Sequence, residues 1–349
     1  MRILSVVGAR PQFVKLAPVS RALQEVAEHV VVHTGQHYDD LMSDVFFRDL
    51  GIPHPDVNLA IGSGAHGAQT GAMLAALEPV FEQYRPDWVL VYGDTNSTLA
   101  AAVAAVKLHL PLAHLEAGLR SFNRAMPEEH NRVLTDHAAD LCLAPTAVAM
   151  QHLAEEGLAA RSVLVGDVMT DVLYSVRDRV LAAPPALPWS DVESVVATIH
   201  RAENTDDPER LAAVIDALAA VDRPVRLLAH PRLRAAAERA GIVLERGAIT
   251  VHDPLPYPEL IAAVLQGSGV LTDSGGLQKE AYLLRRLCTT VRPETEWVET
   301  VESGWNTLVG TRLDELAAEV ARPLPAEPTD HPYGDGHAAE RVAAELTGR

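Results

Sequence analysis

Short runs of β-branched and apolar residues alternate with Ala/Leu-rich segments of helical length from one end of this sequence to the other. The first set of runs covers residues 3–7, 30–34, 88–92, 112–114, 141–144 and 163–165. A second set covers 195–199, 226–229, 249–252, 270–272, 287–291 and 307–309. Such alternation predicts parallel sheets, because each helix returns the chain to the same sheet end and covers a face. Two sets of about six strands predict an α/β protein of two Rossmann-like, doubly wound domains. The length of 349 residues agrees, since it exceeds one core of usual size. The run Pro184-Pro185-Ala186-Leu187-Pro188 separates the sets and reads as a linker. A second break at 322–333 precedes a last helix over 337–346.

The formal net charge of −18 argues against nucleic acid and anionic membranes as partners. A small anionic ligand stays open, because a cleft can be locally positive. The two cysteines, Cys142 and Cys288, lie in apolar runs, which fits a reducing cytoplasm. The start RILSVVG is strand-like, and neither a signal peptide nor an apolar run of membrane-spanning length is visible.

In doubly wound sheets ligands sit beyond the carboxyl ends of the strands. Polar turns follow the strands throughout: Gly8-Ala9-Arg10-Pro11-Gln12, Gly35-Gln36-His37, Gly93-Asp94-Thr95-Asn96, Glu116-Ala117-Gly118-Leu119-Arg120, His200-Arg201, His230-Pro231-Arg232 and Asp273-Ser274-Gly275-Gly276. Seven such turns, drawn from both halves, predict a ligand cleft between two domains. Strand, Gly275-Gly276 turn and helix start form a phosphate cradle, with free N–H groups at the positive end of a helix dipole. An ordinary βα turn is the competing reading. Glu280, in the first turns of that helix, suits ribose hydroxyls. The motif Gly62-Ser63-Gly64-Ala65-His66-Gly67 spells the dinucleotide fingerprint. It follows only a doubtful strand at 58–61, so it reads as a loop and no nicotinamide cofactor is expected.

Arg10 and Lys15, about one helical turn apart, place two cations where a diphosphate could be neutralised. Asp94 at its strand exit is either a helix N-cap or a catalytic carboxylate. Glu116 sits in an apolar strand exit, where burial would suit it to proton transfer. Pro127-Glu128-Glu129 opens a helix, and acids favour a first turn, so both glutamates have a structural explanation. His200, followed by Arg201 and facing the cradle, is a ligand candidate. No histidine or cysteine spacing makes a metal site, and Ser274 is not in a nucleophile elbow.

Taken together, the stretches GARPQFVKLAPV, HTGQHYDDLMSDVFF, YGDTNSTLA, HLEAGLRSFNRAMPEEHNRVLTDH, GDVMTD, HRAENTDDPERL, HPR, LTDSGGLQKEA, TEWVE and HPYGDG resemble the non-hydrolysing UDP-N-acetylglucosamine 2-epimerases over nearly the whole chain. The resemblance implies a glycosyltransferase B-type fold. Its domains would be 1–168 and 169–336, with segment 337–349 packing back on the first. It also implies a homodimer and a UDP-sugar substrate with no further cofactor.

The implied chemistry is elimination of UDP, giving a 2-acetamidoglucal, then reprotonation of C2 from the other face and re-addition of UDP. In this scheme Arg10, His200, Ser274, Gly275 and Gly276 meet the diphosphate, and Glu280 holds the ribose. Pro254 and Leu255 line the uracil pocket. Lys15, Asp94, Glu116 and Glu128 surround the sugar and, with His200, form the catalytic set. Arg120 and Arg201 join the substrate-binding residues. Arg292 and Glu296 contact the sugar or diphosphate end. The TEWVE form looks closer to relatives acting on UDP-2,3-diacetamido-2,3-dideoxyglucuronate than to those acting on UDP-N-acetylglucosamine. Some relatives bind a second substrate molecule beside the segment matching Gln36-His37, using an arginine where this chain has Ala72, so such activation is not expected here. The reaction the resemblance implies is interconversion of UDP-N-acetylglucosamine and UDP-N-acetylmannosamine, with 2-epimerisation of UDP-2,3-diacetamido-2,3-dideoxyglucuronate as the alternative on substrate. A UDP-sugar glycosyltransferase and a catalytically silent nucleotide-sugar sensor are the rival readings.

Overall fold

The computed structural model describes residues 1–35, 54–190 and 193–348. The Gln36-His37 segment therefore lies outside the described residues. Among these residues two all-parallel sheets form. The first contains β1 (Arg2–Val7), β2 (Glu28–His33), β3 (Val57–Asn58), β4 (Trp88–Tyr92), β5 (Leu112–Leu115), β6 (Leu141–Ala144) and β7 (Ser162–Leu164), in the order β3-β2-β1-β4-β5-β6-β7. The second contains β8 (Val195–Thr198), β9 (Val225–Leu228), β10 (Ile249–His252), β11 (Gly269–Thr272), β12 (Cys288–Thr290) and β13 (Asn306–Leu308), in the order β10-β9-β8-β11-β12-β13. Each order reverses once, between β1 and β4 and between β8 and β11. Those reversals are the topological switch points where doubly wound sheets bind ligands. The alternation predicts this pair of Rossmann-like sheets, and together they are the glycosyltransferase B-type fold that the resemblance implies.

Strand β1 shows why these runs are continuously apolar. Successive side chains point to opposite faces, and both faces are covered. Leu4 and Val6 pack with Val89, Met73, Leu77 and Phe81, beneath the helices His66–Tyr84 and Asn96–Lys107. Ile3 and Val7 pack with Phe13, Leu16, Val342 and Leu346 on the other face, beneath the helices Arg10–Gln24 and Ala338–Thr347. All twelve runs read from sequence are strands, their ends displaced by two positions at most. The GSGAHG stretch follows β3, an edge strand of two residues, and leads into the helix His66–Tyr84.

The chain forms two compact units, Met1–Tyr174 with His331–Arg349, and Ser175–Asp330. The passage between them falls inside the helix Val168–Ala182, ahead of the proline run at 184–188. The last helix belongs to the first unit for a local reason. Its N-terminal N–H groups at Ala338 and Ala339 donate to the Asp171 carboxylate at 3.0 and 2.7 Å. Its apolar face, Val342 and Leu346, completes the first unit's core.

Candidate active site

At the switch point of the first sheet, Gln12 ties the two central strand exits together. Its side-chain oxygen accepts from the N–H groups of Gly8 and Ala9 at 2.8 and 3.0 Å. Its amide donates to the Tyr92 carbonyl at 2.8 Å and to Thr98 Oγ1 at 3.0 Å. The turn after β1 is thereby locked to the turn after β4, which carries Gly93 and Asp94. Arg10 stands exposed at the start of the helix Arg10–Gln24.

Lys15, one turn further along that helix, forms an ion pair with Glu116. Burial opposes the Lys15 charge. Glu116, aided by Asp167 and Asp94, outweighs burial and holds the ammonium above its ordinary value. Glu116 adopts a left-handed backbone, φ 72°, which is costly for a residue with a side chain. A Cβ on Gly93 would lie 3.0 Å from Glu116 Oε2 and 3.5 Å from Lys15 Nζ, so the pair rests directly on that glycine.

Asp94 is not the N-cap of the helix that follows it. Thr95 is the N-cap of the helix Asn96–Lys107, its hydroxyl accepting from Thr98 N at 3.3 Å. The Asp94 carboxylate instead pairs with Arg132, while its carbonyl accepts from Asn131 at 2.9 Å. Arg132 also bonds Glu129 at 3.0 Å, and Glu129 accepts from the N–H groups of Ser121 and Phe122, both at 2.9 Å. The helix Pro127–Ala138 thus braces Asp94 through two adjacent residues. The Glu128 side chain, half-buried on the same helix, has no hydrogen-bond or ion-pair partner among the described residues.

Beneath both carboxylates His114 is fully buried. Its Nδ1 meets Asp136 at 2.6 Å and its Nε2 meets the Gly93 carbonyl at 2.7 Å. Asp136 also accepts from Gly118 N at 3.0 Å and pairs with Arg120 at 2.7 Å. Burial would raise the Asp136 carboxyl, but His114 and Arg120 hold it below its ordinary value. Arg120, expected among the substrate-binding residues, points its guanidinium at these carboxylates. Its side chain is 1% exposed and is spent on Asp136 and on a two-bond pair with Glu156, both bonds 2.7 Å. A guanidinium buried in that way supports the strand exits.

The second unit repeats the device. Asp273, at the exit of β11, accepts from His200 N at 3.0 Å, Arg201 N at 2.9 Å and Asn204 Nδ2 at 3.0 Å, which locks the β8 exit to the β11 exit. Arg201 turns its guanidinium onto the Asp273 carbonyl at 3.1 Å. Ser274 is the N-cap residue of the helix Gly275–Leu283, and its side chain makes no cap hydrogen bond. A Cβ on Gly276 would meet nothing within 4 Å, whereas one on Gly275 would strike the Glu296 carboxylate. Glu296 pairs with Arg292 at 2.9 Å, so an anion and its cation already lie across the start of this helix.

A cavity of about 360 Å³ opens beside this turn, lined by His200, Pro254, Leu255, Ser274, Gly276 and Glu280 among others. Ile199, Leu228 and Leu260 supply its apolar wall. At its end Glu280 accepts a hydrogen bond from Tyr257 Oη at 2.8 Å. Burial pushes Glu280 up to about 7, against the pull of Tyr257 and Lys279. The volume, the apolar wall and a few polar groups are those of a small-molecule site. Of the expected residues, this cavity collects His200, Pro254, Leu255, Ser274, Gly276 and Glu280. The first unit collects Lys15, Asp94 and Glu116. Gln12, His114, Arg132 and Tyr257 were not singled out from sequence, although GARPQ, HLEAG, EEHNR and the segment after Pro254-Leu255 contain them.

The family described as UDP-N-acetylglucosamine 2-epimerase matches residues 21–347. A UDP-2,3-diacetamido-2,3-dideoxy-D-glucuronate 2-epimerase of Pseudomonas aeruginosa is 48% identical over 99% of this chain and 99% of its own. The structure of the UDP-GlcNAc 2-epimerase from Methanocaldococcus jannaschii superposes with a TM-score of 0.87 at 36% identity, covering 100% of both chains. A second structure of that enzyme, in complex with UDP-GlcNAc and UDP, gives 0.79 at 37% identity, again over 100% of both. Two Rossmann-like sheets, the strand-exit clusters at their switch points and these full-length matches place the chain in the UDP-N-acetylglucosamine 2-epimerase family, as a UDP-sugar 2-epimerase.

Proposed function

We propose that this protein epimerises C2 of UDP-2,3-diacetamido-2,3-dideoxy-D-glucuronate by eliminating and re-adding UDP. The observation that carries the mechanism is the convergence of Asp94, Glu116 and Lys15 on Gly93. The C2 proton of such a sugar has no adjacent carbonyl, so simple deprotonation is unfavourable. If a carboxylate takes that proton while the C1–O bond breaks, the electron pair of the C2–H bond forms the C1–C2 double bond. The bonding pair of C1–O leaves with UDP. Protonation of C2 on the other face and attack of the diphosphate oxygen on C1 then return the epimer. Asp94, Glu116 and Glu128 supply and accept the protons. Lys15 balances the charge beside Glu116. Arg10, His200, Ser274, Gly275, Gly276 and Arg201 receive the diphosphate, Glu280 the ribose, and Pro254 and Leu255 the uracil. Arg292 and Glu296 lie at the start of the cradle helix and take the sugar-diphosphate end.

The diacetamido-uronate is favoured by full-length identity to the Pseudomonas aeruginosa enzyme together with Thr295-Glu296-Trp297-Val298-Glu299. UDP-N-acetylglucosamine is the second reading, supported by the relative whose structure holds it. Incubating the protein with each sugar nucleotide in deuterated water tests both. Deuterium at C2 of recovered uronate, with at least tenfold slower exchange into UDP-N-acetylglucosamine, is the expected result. The reverse preference selects the second reading. Absence of exchange with either overturns the mechanism, and sugar transfer to an acceptor would indicate a glycosyltransferase. The same reading carries a cytoplasmic homodimer. Two buried free thiols suit a reducing compartment, and light scattering is expected to give twice 37.6 kDa.

A further inference from the structure

Glu280 has its Oε1 engaged by Tyr257, while Oε2 has no protein hydrogen-bond partner among the described residues. Tyr257 is the first residue of the helix Tyr257–Gln266 and lines the same cavity. We propose that Tyr257 is a positioning residue for the nucleotide, its hydroxyl fixing Glu280 as a turned, ionised carboxylate whose second oxygen receives the ribose diol. This rests on the nucleotide reading of the second unit's cavity.

An ionised carboxylate only accepts hydrogen bonds, and ribose hydroxyls can donate them. In the buried wall of the cavity the charged form is costly, and burial brings Glu280 up to about 7. At neutral pH the free protein therefore holds a mixture of charged and neutral Glu280, and a ribose selects the charged form. Binding releases a proton, so affinity rises as pH climbs through neutrality and levels off above it. Tyr257 keeps its proton over this whole range, because burial, reinforced by Glu280, raises the phenol above its ordinary value. Its hydroxyl is thus a constant donor that favours the charged carboxylate.

Other charged or titratable groups bear on Glu280 or line the cavity with it. Lys279 lies on the helix of Glu280 and pulls it down, its Nζ standing 4.4 Å from the centre of the Trp297 ring. His200 and His230 line the cavity from the exits of β8 and β9, their rings 6.1 Å apart. The Glu280→Gln variant keeps the histidines and removes the carboxylate, so its curve measures their part alone.

The test is calorimetric titration of UDP into the whole protein from pH 5.5 to 8.5, using wild type, Tyr257→Phe, Glu280→Gln and the double variant. Relative to Glu280→Gln, wild-type affinity should rise across neutrality, with proton release seen in buffers of different ionisation enthalpy. Tyr257→Phe should bind roughly tenfold more weakly at pH 7, the effect of one hydrogen bond to a charged group, and recover most of that loss at pH 8.5. In the Glu280→Gln background the same change should alter affinity by less than about twofold, since the coupled partner is gone. A Tyr257→Phe loss that is constant with pH, or equally large in the Glu280→Gln background, overturns the positioning role and leaves the nucleotide site standing. Failure of wild type to bind UDP at any pH overturns both.

Discussion

Arg120 and Gly118, two positions apart, show how much of the region around the carboxylates is framework. Arg120→Ala removes the cation shared by Asp136 and Glu156, and the Asp136 side chain is 0% exposed. Breaking a buried pair from one side costs about 3–5 kcal/mol. The expected outcome is a lower urea midpoint, whereas an arginine that only held substrate would raise KM and leave the midpoint unchanged. Gly118→Ala meets a different obstacle. Its φ is +81°, and a Cβ would press on the Ala149 carbonyl and stand 2.8 Å from Leu153 Cγ. Overpacking of about 1–3 kcal/mol adds to roughly 1–2 kcal/mol for a left-handed backbone, again read in the urea midpoint. Polar strand exits made Asp94, Glu116 and His200 visible in the sequence. The partners that hold such residues were not visible, because they are fixed by the fold. Arg132 lies 38 positions from Asp94 and Glu116 lies 101 from Lys15. No local pattern links residues so far apart, and the same distance hid the fact that Arg120 faces inward.

At the scale of elements, the helix Ala338–Thr347 depends on a cap from far upstream, Asp171. The last helix could be read from sequence as an Ala-rich stretch after a break. Its partner could not, since Asp171 looks like an ordinary first-turn acid of the helix Val168–Ala182. Burial raises Asp171 to about 6, against the two N–H groups that lower it and with Asp167 adding to the rise. The folded-state value therefore exceeds the unfolded one near 3.8, so the folded protein holds the extra proton between about 4 and 6. This group's stabilising part is complete below the lower value and is lost as pH rises through the upper one. Urea unfolding of wild type should accordingly show a stability contribution that declines from about pH 4 to pH 6, and Asp171→Asn should lack it. The difference between the two curves isolates Asp171 from every other titrating group. A constant difference across that window would refute the assignment. The strands were legible for a simpler reason: burial on both faces demands unbroken apolar runs, and β4, β6 and β10 fall where those runs do.

At the scale of the whole molecule, each unit has its own sheet, core and switch point, and each fastens its two central strand exits with one buried polar side chain. Gln12 does this in the first unit and Asp273 in the second. The proposed division of labour follows: proton transfer belongs to the first unit and the nucleoside to the second. Variants should therefore separate into two kinetic classes. Asp94→Asn and Glu116→Gln remove a carboxylate from the first unit while the cavity lined by Glu280, Pro254 and Leu255 keeps its own walls. They should lower the rate of C2 deuterium exchange by at least 100-fold, the scale of general acid–base catalysis, with UDP affinity held within about threefold of wild type. Glu280→Gln should do the reverse. Losing the charged acceptor for ribose costs about 1.5–3 kcal/mol, roughly 10- to 100-fold in Kd, and exchange at saturating substrate should persist. Calorimetry with UDP and mass spectrometry of the sugar measure the two quantities on the same preparations. If Asp94→Asn weakened UDP as much as Glu280→Gln does, the acid–base groups and the nucleoside site would not be separable functions of the two units, and the assignment of roles would fall.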